Sequence, residues 1–126
     1  MTDRSDKHDR GMDIRRQVLG DDHVDRARAG TSDVDRDFQE WITANVWGEL
    51  WARPALARRE RSLITIALLA AAGQEELELH LRAARNTGAT GDEIVEALLH
   101  VAVYAGVPAA NSAFKLMKQI YDEEPD

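Results

Sequence analysis

A chain of 126 residues, 44% of them hydrophobic, is long enough for one domain with a real core. Its net charge of −7 argues against sequence-independent nucleic-acid binding, and the absence of cysteine excludes disulfides, thiolate metal sites and thiol redox chemistry. The longest apolar run, residues 63–72, is too short for a membrane span and the charged first residues lack a signal-peptide core, so a cytoplasmic protein is expected.

Residues 1–10 offer almost nothing to bury and read as a flexible arm, with His8 solvated. A short helix is expected from about Met12 to Leu19, closed by Gly20. A second, from about Asp22 to Arg28, ends at Gly30 and carries His23 on its surface. Thr31-Ser32-Asp33 supplies N-cap candidates for a longer helix, in which Phe38, Trp41, Ile42 and Val46 recur at helical spacing. Apolar character runs on through Trp47 and Leu50 to Trp51. Aromatics beside Gly48 and Glu49 can wall a ligand pocket, and simple core or interface packing accounts for them as well.

Arg53-Pro54 marks a break before a helix running to about Ala72. From Leu63 it is apolar nearly all round, which predicts the central buried element, and Gly73 closes it. In the following helix Leu77, Leu81 and Ala84 repeat at core spacing, and Gly88 is the stop. Thr90 and Glu93 form a capping-box pattern opening a helix from Gly91 to Ala105. One face of that helix carries Ile94, Ala97, Leu98, Val101, Ala102 and Ala105, with His100 and Tyr104 flanking it. Leu99 and Val103 lie on the opposite side, and two apolar faces in so small a protein point to a partner subunit. Gly106 stops this helix and Pro108 begins the last, which runs to about Asp122 and leaves 123–126 as an acidic tail. No stretch alternates with period two, so residues 11–122 are expected as one all-α domain of six or seven helices.

Two features suggest chemistry. His80 shares the apolar side of its helix with Leu77 and Leu81, and Glu76 precedes it by one turn. A carboxylate-backed imidazole at an apolar boundary is how a general acid or base is prepared near neutral pH; a satisfied core histidine has the same spacing. Arg53, Arg58, Arg59 and Arg61 crowd the start of the central helix, where cations oppose the helix dipole. A bound carboxylate would relieve that conflict, as would solvation beside Glu60. No local spacing supplies three convergent nitrogen or oxygen ligands, so no metal is expected.

Three blocks together carry a resemblance: Arg58 to Leu69, Glu75 to Gly88, and Leu98 to Asn111. With Trp47-Gly-Glu-Leu-Trp-Ala-Arg-Pro and Arg15-Arg-Gln-Val-Leu-Gly-Asp upstream, the chain resembles the 4-carboxymuconolactone decarboxylases over about residues 11–121. The wider superfamily includes alkyl hydroperoxidase D-like proteins, whose motif is Cys-x-x-Cys-x-x-x-His. His80 matches that histidine, while Gly73 and Glu76 stand where the cysteines would be. The departure removes thiol peroxidase chemistry and favours the decarboxylase branch.

The resemblance implies an alkyl hydroperoxidase D-like fold, a hexameric homo-oligomer, and a small lactone substrate bearing two carboxylates, met in protocatechuate breakdown by the beta-ketoadipate pathway. Loss of carbon dioxide would leave electrons that delocalise through the ring double bond to the lactone carbonyl, so no cofactor is implied. The protein's tasks would be to hold the second carboxylate, stabilise the oxyanion and protonate carbon, giving 3-oxoadipate enol-lactone. By this reading Arg61 grips the carboxylate, with Arg53 or Arg58 as alternates, and His80 delivers the proton, with His100 as alternate. Glu76 or Glu49 sets the charge of the histidine, and Trp47 and Tyr104 are candidate substrate contacts. A noncatalytic oligomeric ligand-binding module, or an enzyme for another lactone or keto acid, would carry the same blocks.

Overall fold

The computed structural model describes residues 4–124, which fall into two compact units divided after Leu56. The described residues form seven α-helices and one π-helical segment, in agreement with the all-α expectation. None of these helices is long and apolar enough to cross a membrane.

The first unit holds α1 (Arg4–Leu19), α2 (Asp21–Ala29) and α3 (Arg36–Ile42), which runs directly into a π-helical segment, Thr43–Leu50. The flexible arm expected over residues 1–10 is, from Arg4 onward, the opening of α1; residues 1–3 lie outside the described residues. Polar side chains extend this helix because its backbone, not an apolar stripe, makes the contact. A Cβ on Gly11 would lie 1.8 Å from the Thr43 carbonyl oxygen, and one on Gly48 would lie 2.1 Å from that of Lys7. The α1 and π-helical backbones therefore touch where both chains are glycine. Around this crossing Arg10 Nε donates to the Gly48 carbonyl (3.0 Å) and Lys7 pairs with Glu49 (3.1 Å). His8, expected to be solvated, is half-buried on α1.

The Thr31-Ser32-Asp33 segment does not cap a helix. It forms a turn in which the Ser32 amide donates to Asp35 Oδ1 (2.9 Å), and α3 begins only at Arg36. Phe38 and Trp41, two of the apolar residues at helical spacing, are both exposed within this chain. The π-helical register, marked by the Trp51 amide donating to the Val46 carbonyl (3.0 Å), buries Trp47 and Trp51.

The second unit is a four-helix arrangement of α4 (Arg58–Ala72), α5 (Leu77–Thr87), α6 (Gly91–Tyr104) and α7 (Val107–Glu123). Ile66 and Ala70 from α4, Leu77, Leu81 and Ala84 from α5, Ile94, Leu98 and Val101 from α6, and Ala113, Met117 and Ile120 from α7 share its core. The expected helix start at Pro54 is four residues early, since residues 54–57 are turn or loop and α4 opens at Arg58. Nor is α4 buried all round: Ile64 and Leu68 are exposed within this chain. The capping box at Thr90 and Glu93 is present with both of its hydrogen bonds, and Gly88 ends α5 at φ 88°, a left-handed conformation suited to glycine. Two residues of the acidic tail, Glu123 and Glu124, are held by ion pairs. Arg82 on α5 holds Glu123 (2.8 Å) and Glu124 (2.9 Å) as well as Glu78, whereas Pro125 and Asp126 lie outside the described residues.

Candidate functional site

The candidate residues fall on both units. In the first, Trp47 and Trp51 pack with ring centroids 5.0 Å apart, and both side chains are buried. Glu49 is exposed and held by Lys7, so its charge is already partnered within this unit. Arg53, with its amide donating to the Leu50 carbonyl (3.2 Å), lies exposed in the turn that follows.

In the second unit α4 and α5 form a hairpin around Gly73. Ser62, buried at 1% exposure, meets Thr87 hydroxyl to hydroxyl at 2.7 Å, which ties the first turn of α4 to the last of α5. The three arginines at this end of α4 play different parts. Arg59 binds Glu93, the capping-box carboxylate of α6, and also approaches Glu60 (3.5 Å). The Thr90 backbone amide and then the charge of Arg59 hold Glu93 below the usual carboxylate range. Arg59 is thus a strut between α4 and α6. Arg58 and Arg61, one turn apart, are each half-buried, and Arg61 Nε is shielded from solvent.

His80 lies half-buried on α5 beside the buried Leu77 and Leu81, with Nδ1 shielded from solvent. Its amide donates to the Glu76 carbonyl (3.2 Å), and Glu76 itself is exposed at the N-cap of α5. Seven residues of α5 separate His80 from Thr87, a rise of about 10 Å. Because the hairpin is antiparallel, Arg61 stands about that far along the axis from the level of His80.

His100 and Tyr104 do not flank the buried face of α6 as expected. Both are exposed on its outward side, Tyr104 at 86%, with rings stacked at 6.3 Å and 13°. The reason is angular: Leu98 and Val101 take the core direction, and position 100 points well away from it. Gly73 and Glu76, at the positions of the superfamily's cysteines, bracket the turn between α4 and α5 and are both exposed. Among the described residues no group of three His, Asp or Glu side chains is arranged to hold a metal ion.

One charged group escaped the sequence reading. Arg15 is 8% exposed in the first unit, where its Nη1 donates to Thr43 Oγ1 (3.1 Å) and its Nη2 to Gln39 Oε1 (3.3 Å). Those partners are 28 and 24 residues away, so no local spacing could have revealed the contact.

Comparison with known proteins places this geometry in context. The family model described as "Carboxymuconolactone decarboxylase family" matches residues 36–119. A 4-carboxymuconolactone decarboxylase from Acinetobacter baylyi is 44% identical over 118 residues, covering 93% of this chain and 88% of the relative. The nitrosuccinic acid decarboxylase npaB of Metarhizium robertsii is 40% identical over 121 residues, covering 94% and 83%. A 4-carboxymuconolactone decarboxylase of Pseudomonas putida is 45% identical over 47 residues, which is 37% of this chain and 98% of that sequence. With the helical hairpin carrying Arg58, Arg61 and His80 inside the matched span, the chain belongs to the carboxymuconolactone decarboxylase family.

Proposed function

We propose that the chain is a carboxy-lyase that converts 4-carboxymuconolactone to 3-oxoadipate enol-lactone without a cofactor, in the beta-ketoadipate pathway. The observation that carries this reading is the 44% identity to a protein of that name along 93% of the chain. The chemistry is consistent with the residues. The carbon–carbon bond to the departing carboxylate breaks as carbon dioxide leaves, and its electron pair passes through the ring double bond to the lactone oxygen. Arg61, or Arg58 or Arg53, neutralises the carboxylate that stays. His80, or alternatively His100, gives a proton to the carbon next to the carbonyl, which restores the lactone with its double bond shifted. Glu76 or Glu49 sets the charge of that histidine. Trp47 and Tyr104 are the proposed substrate contacts, and the working form is a cytoplasmic homo-oligomer, a hexamer.

The second relative supports a neighbouring reading. Nitrosuccinic acid is also a dicarboxylic acid, and a nitro group can accept an electron pair as a lactone carbonyl does. Both named substrates thus supply their own electron sink and keep one carboxylate for an arginine. Incubating the purified protein with enzymatically generated 4-carboxymuconolactone, and separately with nitrosuccinate, tests the choice. Release of carbon dioxide with enol-lactone from the first supports the proposal. Turnover of nitrosuccinate alone reassigns the substrate, and turnover of neither leaves a ligand-binding module.

A further inference from the structure

The first unit contains a cavity of about 260 Å³ whose charge has no use in the proposed decarboxylation. Its wall includes Arg15, Arg28, Arg36, Gln39, Glu40 and Thr43, contributed by α1, α2 and α3 and the start of the π-helical segment. Three arginines against one glutamate make the lining cationic. Arg36 is the most committed of them, since Asp33 holds it at 2.6 Å. Arg28 is exposed and makes no ion pair among the described residues.

Arg15 is the unusual member. At 8% exposure it has lost almost all of its contact with bulk water, yet both of its hydrogen-bond partners, Thr43 Oγ1 and Gln39 Oε1, are uncharged. The Thr43 hydroxyl is itself engaged, donating to the Gln39 carbonyl at 2.9 Å, so it fixes the guanidinium without neutralising it. The third donor, Nε, is buried and has no hydrogen-bond partner among the described residues. A buried guanidinium normally faces a carboxylate, because its desolvation is otherwise uncompensated. Among the described residues no carboxylate pairs with Arg15, and Arg15 lines a cavity.

We propose that this cavity is a binding site for a small carboxylate anion, gripped by Arg15, with Arg28 and Arg36 adding positive charge at its wall. A planar carboxylate matches the guanidinium fork and would supply the countercharge that its neutral partners do not. The lining is too mixed to suit an apolar ligand, and Glu40 opposes a highly charged one. Burial lowers the pKa of Arg15 from its ordinary value, in keeping with a desolvated cation, but an arginine stays charged near neutral pH. The cavity is lined by first-unit residues alone, whereas the arginines of α4 belong to the second unit, so its ligand need not be the molecule that is turned over.

The test is calorimetric titration of the full chain with succinate, with inorganic phosphate and acetate as comparison ligands. Saturable succinate binding is expected, weakened at least about tenfold by Arg15→Met, which removes the charge and retains bulk. Arg28→Gln with Arg36→Gln, both at exposed positions, should weaken it several-fold, and this pair decides the question if Arg15→Met does not fold. An NMR shift of the Arg15 Nε–H signal on adding succinate would locate the ligand. No saturable binding, or binding unaffected by the Arg28 and Arg36 changes, overturns the proposal. Binding that survives Arg15→Met and disappears in Arg61→Ala belongs to the proposed decarboxylase site and also overturns it. Phosphate binding tighter than succinate overturns the assignment of a carboxylate.

Discussion

His80 combines a half-buried ring, a shielded Nδ1 and core leucines on either side, and that environment separates its proposed roles. A proton donor has to reach the substrate carbon, whereas a core histidine only has to satisfy its own nitrogens. Replacing it with asparagine keeps a polar side chain of similar length but removes the ionisable imidazole. His80→Asn is expected to keep its helical circular dichroism and thermal transition while losing about 10²–10⁴-fold in turnover. His100→Asn, at an exposed position, should lose less. Near-full turnover by His80→Asn across about pH 5 to 8, where histidines titrate, would make His80 structural. The half-buried setting of His80 was legible because it depends on neighbours within one turn. The pairing of Glu49 with Lys7 and the burial of Arg15 were not, because their partners come from other helices.

At the scale of elements, the chain announces its structure where local chemistry decides it. Thr90 and Glu93 cap α6 with each other's side chains, and Gly88 ends α5, each within a few residues of sequence. The start of α4 was misplaced because proline suits both a first helical turn and the loop before it. The opening of α1 was missed for a different reason. Its packing rests on Gly11 and Gly48, and a missing side chain leaves no hydrophobic period to read. That contact makes a sharp prediction. In a free helix Gly→Ala gains about 1 kcal/mol from backbone entropy. At Gly11 the new methyl would meet the Thr43 carbonyl oxygen at 1.8 Å, and backbone on a facing helix cannot turn aside as a side chain can. Overpacking costs about 1–3 kcal/mol, and a backbone clash belongs at the top of that range. Gly11→Ala should therefore destabilise the protein by about 2 kcal/mol net, read from the urea midpoint. An unchanged or higher midpoint would show that α1 is not held at this crossing.

For the whole molecule, the decisive mismatch is between apolar character and burial. Ile64 and Leu68 on α4, 48% and 65% exposed, stand one turn apart. Leu99 and Val103 on α6, 47% and 75% exposed, do the same, and Val107 at the start of α7 is 69% exposed. Single exposed leucines are ordinary, but repeated i,i+4 pairs on two helices packed together in one unit call for a cover. This also explains why the sequence made α4 look buried on every side: it records the apolar outward face but carries no information on what, if anything, covers it. Burying one such side chain contributes about 1.5–3 kcal/mol, so a few of them repeated at each interface can hold subunits together. Light scattering should give a mass several times 14.1 kDa at micromolar concentration. Leu68→Lys with Val103→Lys should move that mass toward the monomer while leaving the helical spectrum intact, because neither side chain belongs to the unit's core. Two lysines brought into an apolar interface would have to be desolvated without partners, a cost well above the contacts they replace. A wild-type monomer, or a double-lysine variant of unchanged mass, would mean that this face is not where the subunits meet.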